Sequence, residues 1–344
     1  MKMKRMKQFG FWCILGIFLA SCTRTNVPKI IFDTDLGNDI DDTEALDLLF
    51  KYMDEGRIDL LGICLNKEGD ATLKFTDLME NWYGYEDIPV GVIRNAGNTG
   101  VNADSCYTGK ICRLTNEDGT PLFATKGLEY NKLPDSHLLY RKLLASQPDH
   151  SVTIVSVGFL TNIARLLDTP ADEYSSLTGK ELVAKKVKCL SIMGGRFRDK
   201  TPEFNIAINV SASQKIFTEW PVEIVSLPWE MGDAVRYPAS SIENDFGWTN
   251  AHPLRESYIR YIPMPYDNYM FDPTAVVYAV EGPDMFTSSG SGTISVDDKG
   301  VTTFTAEEGG KHSYMSVNEE QAKVLRDYFV RYLTQKPKKY ASCQ

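Results

Sequence analysis

The apolar run Lys29–Thr34 leads straight into Asp33-Thr34-Asp35-Leu36-Gly37-Asn38-Asp39-Ile40-Asp41-Asp42, with five carboxylates in ten residues. Ala45, Leu46, Leu48, Leu49, Tyr52 and Met53 then recur at helical spacing through residues 42–54. A strand, an acidic turn and an amphipathic helix in immediate succession put the turn at the carboxyl end of the strand. In a parallel sheet that end is where ligands bind. Like charges this close repel by about 1 kcal/mol or more per pair at surface-like dielectric. A cation removes that cost, and hard carboxylate oxygens suit Ca²⁺ or Mg²⁺. A solvated helix cap explains one or two aspartates, but not five behind an apolar strand.

The rest of the chain repeats the alternation. Residues 59–65, 88–93, 151–157, 187–193 and 222–227 read as strands, and residues 72–82, 135–146 and 162–167 as helices. This order predicts an α/β fold, a doubly wound, mainly parallel sheet with flanking helices. From about Pro238 the segments become mostly helical. Residues 293–296 and 301–305, split by Asp297-Asp298-Lys299-Gly300, predict a small C-terminal β-hairpin, and residues 318–333 a closing helix. Residues 29–344 form one domain on this reading. Apolar residues at 43% and charged residues at 24% fit a globular chain with a large core. A formal charge of −9 argues against nucleic acid as a partner. Seven cysteines are too few for a disulfide scaffold. Spacing permits a Cys106–Cys112 pair without establishing it.

The first residues are of another kind. Lys2, Lys4, Arg5 and Lys7 precede an apolar run over residues 9–20, the pattern of a secretory signal. The run is short for a membrane span. Leu19-Ala20-Ser21-Cys22 resembles the lipobox of bacterial lipoproteins, in which the Cys is lipidated. The expectation is a signal peptide over residues 1–21, lipidation at Cys22, and a polar tether over residues 22–28. The mature protein would then sit in a bacterial cell envelope, facing the periplasm, held to the membrane only through its lipid.

Four motifs in order resemble the inosine-uridine-preferring nucleoside hydrolase family. They are Asp33, Asp35 and Gly37 with Asp41-Asp42; Gly158-Phe159-Leu160-Thr161-Asn162; Met193-Gly194-Gly195 with Glu203-Phe204-Asn205; and Asp272-Pro273. Two extra residues stand between Gly37 and the paired aspartates relative to the family's best-known members. The resemblance implies a Ca²⁺ site from the carboxylates of Asp35, Asp42 and Asp272 and the backbone carbonyl of Val157. It implies Asp35 as the general base on a calcium-bound water, and Asp41, Asn66, Glu203 and Asn205 around a ribosyl substrate. Such an enzyme hydrolyses N-ribosyl bonds, a step of purine and pyrimidine salvage. Carboxylates and amide oxygens near the sugar suit the chemistry, because positive charge builds on the ring as the bond breaks.

One departure is plain. The family's histidine before the Asp-Pro pair, which helps protonate the departing base, is replaced by Phe271. Glu230 and His312 are candidates for a substitute acid, and Trp229, Tyr266, Tyr269 and Phe271 for stacking on a leaving group. Two rival readings follow. One is a ribose- or nucleoside-binding lipoprotein with little catalysis. The other is a haloacid-dehalogenase-type phosphatase with Asp33 as nucleophile, since residues 30–35 also resemble that family's first motif. The sequence leaves the oligomeric state open, a homo-oligomer included.

Overall fold

The computed structural model describes residues 27–97 and 99–341. The expected signal peptide, Cys22 and most of the expected tether lie outside the described residues. Strands β1 (Lys29–Thr34), β2 (Asp59–Leu65), β3 (Val90–Gly91), β4 (Val152–Ser156), β5 (Val187–Met193) and β6 (Glu223–Leu227) run parallel. A separate antiparallel pair is β7 (Arg236–Tyr237) with β8 (Asn268–Tyr269). Then come β9 (Thr287–Ser288), β10 (Gly292–Val296), β11 (Thr302–Ala306) and β12 (His312–Ser316). The main sheet has the order β11-β10-β12-β6-β5-β4-β1-β2-β3, with β9 beside β12.

The chain moves from β1 outward through β2 to β3, then returns to the other side of β1 with β4. The winding direction therefore reverses between β1 and β4. Open α/β sheets hold their ligands in the crevice at such a reversal.

The strands are apolar on both faces because both faces are covered. Ile30 and Phe32 of β1 enter one core layer and Ile31 enters the other. Each such residue is fully buried and contributes about 1.5–3 kcal/mol of transfer free energy. The helix Phe271–Glu281 lies across the sheet, and Ser191 of β5 donates from Oγ to the Ala275 carbonyl at 3.0 Å. Pro273 sits in its first turn, where a missing N–H costs nothing.

Two expectations change. The third strand is only two residues long, extended by a bridge between Val92 and Asp135. The C-terminal hairpin does not stand apart. Strand β12, unremarked in the sequence, pairs in parallel with β6 and carries β10 and β11 into the main sheet. Cys106 and Cys112 are unpaired; the Cys106 thiol donates to the Ala103 carbonyl at 3.0 Å.

Candidate active site

A cavity of about 420 Å³ opens at the carboxyl ends of β1, β4 and β5. Its floor comes from the acidic turn. The Thr34 hydroxyl donates to Asp42 and accepts the Leu36 N–H at 3.1 Å, which folds the turn back onto its own strand. The helix Asp41–Asp54 starts there, and its positive end favours Asp41 and Asp42. A second helix end meets it, where the Asp272 N–H donates to Asp41 Oδ2 at 3.1 Å. Carboxylate oxygens of Asp41, Asp42 and Asp272 lie within 4.8 Å of one another, all three side chains buried.

The second wall comes from β4, β5 and the short helix Phe204–Ile208. Asn205 Nδ2 donates to the Val157 carbonyl at 3.0 Å and to the Met193 carbonyl at 3.3 Å. Glu203 caps the helix, accepting from Asn205 N at 2.9 Å, Ile206 N at 3.2 Å and Gly195 N at 3.3 Å. The third wall is aromatic, with Trp229, Phe271 and the half-exposed Phe204 on the cavity. Phe271 packs against Gly232 of the helix Trp229–Ala234; a Cβ at Gly232 would fall 2.0 Å from its ring. The Arg196 guanidinium covers the Trp229 ring at 3.9 Å.

Electrostatics single out the acidic floor. Burial, then repulsion from neighbouring aspartates, Asp35 and Asp39 included, pushes Asp41, Asp42 and Asp272 well above the usual carboxylate range. Burial raises Asp35 to about 6, against the Asn38 hydrogen bond and the Lys67 ammonium. Burial raises Glu203 to about 7, against its three backbone donors. Two like charges about 5 Å apart repel by roughly 3 kcal/mol at an effective dielectric of 20. Three buried carboxylates so placed either keep protons or hold a cation, and their hard oxygens fit a divalent metal.

A family model described as inosine-uridine preferring nucleoside hydrolase matches residues 30–331. The chain belongs to this family. It is accordingly a nucleoside hydrolase-like N-glycosyl hydrolase, and the acidic cluster is the expected seat of the family's metal. Solved structures share the fold. A plant nucleoside hydrolase is 21% identical with a TM-score of 0.67, covering 90% of this chain and 99% of its own. A purine-preferring ribonucleoside hydrolase from Gardnerella vaginalis is 15% identical with a TM-score of 0.67, covering 89% and 98%. An inosine-uridine preferring nucleoside hydrolase from Bacillus anthracis is 18% identical with a TM-score of 0.66, covering 90% and 99%. No curated protein matches this chain.

Within this nucleoside hydrolase fold, most of the expected residues converge. Asp35, Asp41, Asp42, Val157, Glu203, Asn205, Phe271 and Asp272 all line the cavity. The carboxylate cluster differs from the expected ligand set in one member. Asp41 is in it and Asp35 is not; Asn38 Nδ2 donates to Asp35 Oδ2 at 2.6 Å. Asn66 lies behind the cavity, fully buried, donating to Asp33 and to the Phe159 carbonyl at 3.2 Å. It braces the strand ends and does not face the pocket.

Two suggested acids are misplaced. His312 pairs with Ile224 at the start of β6, at the opposite end of the sheet from the cavity. Its Nδ1 accepts the Ile294 N–H at 2.9 Å. Glu230 Oε1 accepts from Phe197 N at 2.8 Å and Arg198 N at 2.6 Å, so it staples a loop beside the aromatic wall. The phosphatase reading also fails. Asp33 is fully buried among Asn66, Asn162 at 3.0 Å and Tyr140 at 3.1 Å, with no route to a substrate.

Sequence reasoning missed Asn38 and Lys67. Lys67 is the second residue after the carboxyl end of β2, next to Asn66, and a lysine at that end of a parallel strand was the available signal.

Proposed function

We propose that this nucleoside hydrolase family member is a calcium-dependent hydrolase of N-ribosyl bonds, anchored in a bacterial envelope through Cys22. The observation that carries the reading is the buried cluster of Asp41, Asp42 and Asp272 on the floor of a cavity whose far wall is aromatic. Asp42 and Asp272 would hold the cation, with Asp35 and the Val157 carbonyl on the adjoining walls. When bound, calcium orients a vicinal diol and makes water more acidic.

The chain's own residues do the rest. Asp35 takes the proton of the attacking water. Asp41, Glu203 and Asn205 accept and donate hydrogen bonds to ribose hydroxyls. Their negative charge and dipoles favour the ring as it becomes cationic, more in the transition state than in the ground state. The apolar surface of Trp229, Phe271 and Phe204 receives the leaving group.

The test uses a nitrophenyl riboside, whose leaving group departs without protonation. Turnover that vanishes on chelation, returns with calcium, and falls about 10²–10⁴-fold in Asp35→Asn supports the reading. A protein that binds ribosides with unchanged affinity but never turns over this substrate would instead be a binding lipoprotein.

A further inference from the structure

Asn38, in the lengthened stretch between Gly37 and Asp41, carries contacts that the proposed chemistry leaves unused. Asn38 Nδ2 donates to Asp35 Oδ2 at 2.6 Å and to the Thr99 carbonyl at 3.2 Å. Asn38 Oδ1 accepts from the Lys67 ammonium and from the Val101 N–H at 2.9 Å. Lys67 Nζ also donates to the Thr99 carbonyl at 3.0 Å. The Lys67 side chain is buried. Among the described residues it makes neutral hydrogen bonds and no ion pair at contact distance; the strongest attraction it feels from a charged group comes from Asp35. A buried ammonium without a bonded counter-ion is costly, and stability alone would favour an apolar side chain there.

The backbone confirms how tight the arrangement is. Gly100 has φ +80°, and a Cβ on it would lie 2.3 Å from Asn38 Oδ1. Only glycine lets residues 99–101 close over the Asn38 amide. One amide thus ties together the catalytic turn, the end of β2 and the cavity's rim.

We propose that Asn38 and Lys67 are positioning residues for the hydrolysis. They fix one oxygen of Asp35 and bolt residues 99–101 beside it, so that the other oxygen meets the attacking water in a single orientation. This rests on Asp35 being the base. A group misplaced by about 1 Å can lose on the order of 10² in rate without losing substrate affinity.

The experiment measures kcat and KM on a nitrophenyl riboside, with melting temperature, at saturating calcium. The variants are Asn38→Ala, Lys67→Met, Gly100→Ala, Asp35→Asn, and Asn38→Ala combined with Asp35→Asn. The first three should lower kcat by about 10–10²-fold with KM within about threefold. Adding Asn38→Ala to Asp35→Asn should change kcat less than about twofold, because residues that act as a unit are not additive. A purely structural role would instead lower the melting temperature and leave the remaining folded enzyme at wild-type kcat. Wild-type kcat in Asn38→Ala and Lys67→Met, with Asp35→Asn impaired, overturns the positioning role alone. So does a full additive loss in the double variant. An active Asp35→Asn overturns the base assignment on which it rests. If Asn38→Ala or Lys67→Met fails to fold, Gly100→Ala reads the same contact, and wild-type kcat there is equally fatal to the proposal.

Discussion

Phe271 stacks on Tyr269 with ring centroids 5.1 Å apart and planes 5° apart, while its neighbour Asp272 joins the acidic cluster. An apolar ring therefore stands next to the metal-type floor, where the family's best-known members carry a histidine. Among the described residues, the aromatic side chains that line this wall, Trp229, Phe271 and Phe204, carry no group that titrates as a general acid. Inosine and uridine should be cleaved about 10²–10⁴-fold more slowly than a nitrophenyl riboside, the usual worth of one general acid. Phe271→His should narrow the gap by raising kcat on nucleosides while barely changing the activated substrate. Equal rates on both substrates in the unmodified enzyme would locate a proton donor elsewhere.

Chelation should lower the melting temperature, since a ligand that binds only the folded state stabilises it by about 2.7 kcal/mol at 100 times its Kd. The pH trend of the chelated protein follows from the buried acids. Asp33, Asp35 and Glu203 sit at about 7, about 6 and about 7, each raised first by burial. Unfolded carboxyls titrate at about 4. Between roughly pH 4 and 7 the folded chain thus holds more protons than the unfolded chain, and stability falls as pH rises. Calcium should offset the loss most at the alkaline end. Thermal melts in chelator and in calcium across this range check both trends; a chelated protein that gains stability toward pH 7 contradicts the assignment.

His312→Ala should leave kcat and KM unaltered and lower stability by about 1–3 kcal/mol, the cost of stranding a buried donor such as the Ile294 N–H. Steady-state kinetics beside a melting curve separate the two effects. A tenfold fall in kcat at unchanged stability would bring this histidine into the chemistry.

Cys22→Ala should abolish incorporation of labelled palmitate and move the protein from the membrane fraction to the soluble fraction of an expressing bacterium. Unchanged membrane association in that variant would argue against a lipid anchor.

Much of the molecule was readable in the sequence, for a specific reason. Lys29–Thr34 and Val187–Met193 are apolar on both faces, and a strand buried on both faces says parallel sheet. The Asp35–Asp42 turn announces itself by charge that no ordinary cap requires. What escaped depends on direction and distance. His312 looked available because nothing in residues 312–316 tells which end of β12 lies near the pocket; only its pairing with β6 does. Asn66 looked like a pocket residue because it ends a strand, yet its side chain turns inward to Asp33. The Asn38–Lys67 contact joins residues 29 apart through an amide and an ammonium, and polar side-chain pairs of that kind leave no periodic trace.

The bond from the Asp272 N–H to the Asp41 carboxylate spans 231 residues of chain. Closing so long a loop comes late, because its entropy is lost before the contact returns anything. A partly collapsed chain owns Asp41 and Asp42 but lacks Asp272, the distant member of the carboxylate cluster. Capture of the cation is therefore a certificate of completed folding, issued only when the two distant ends of the domain have met.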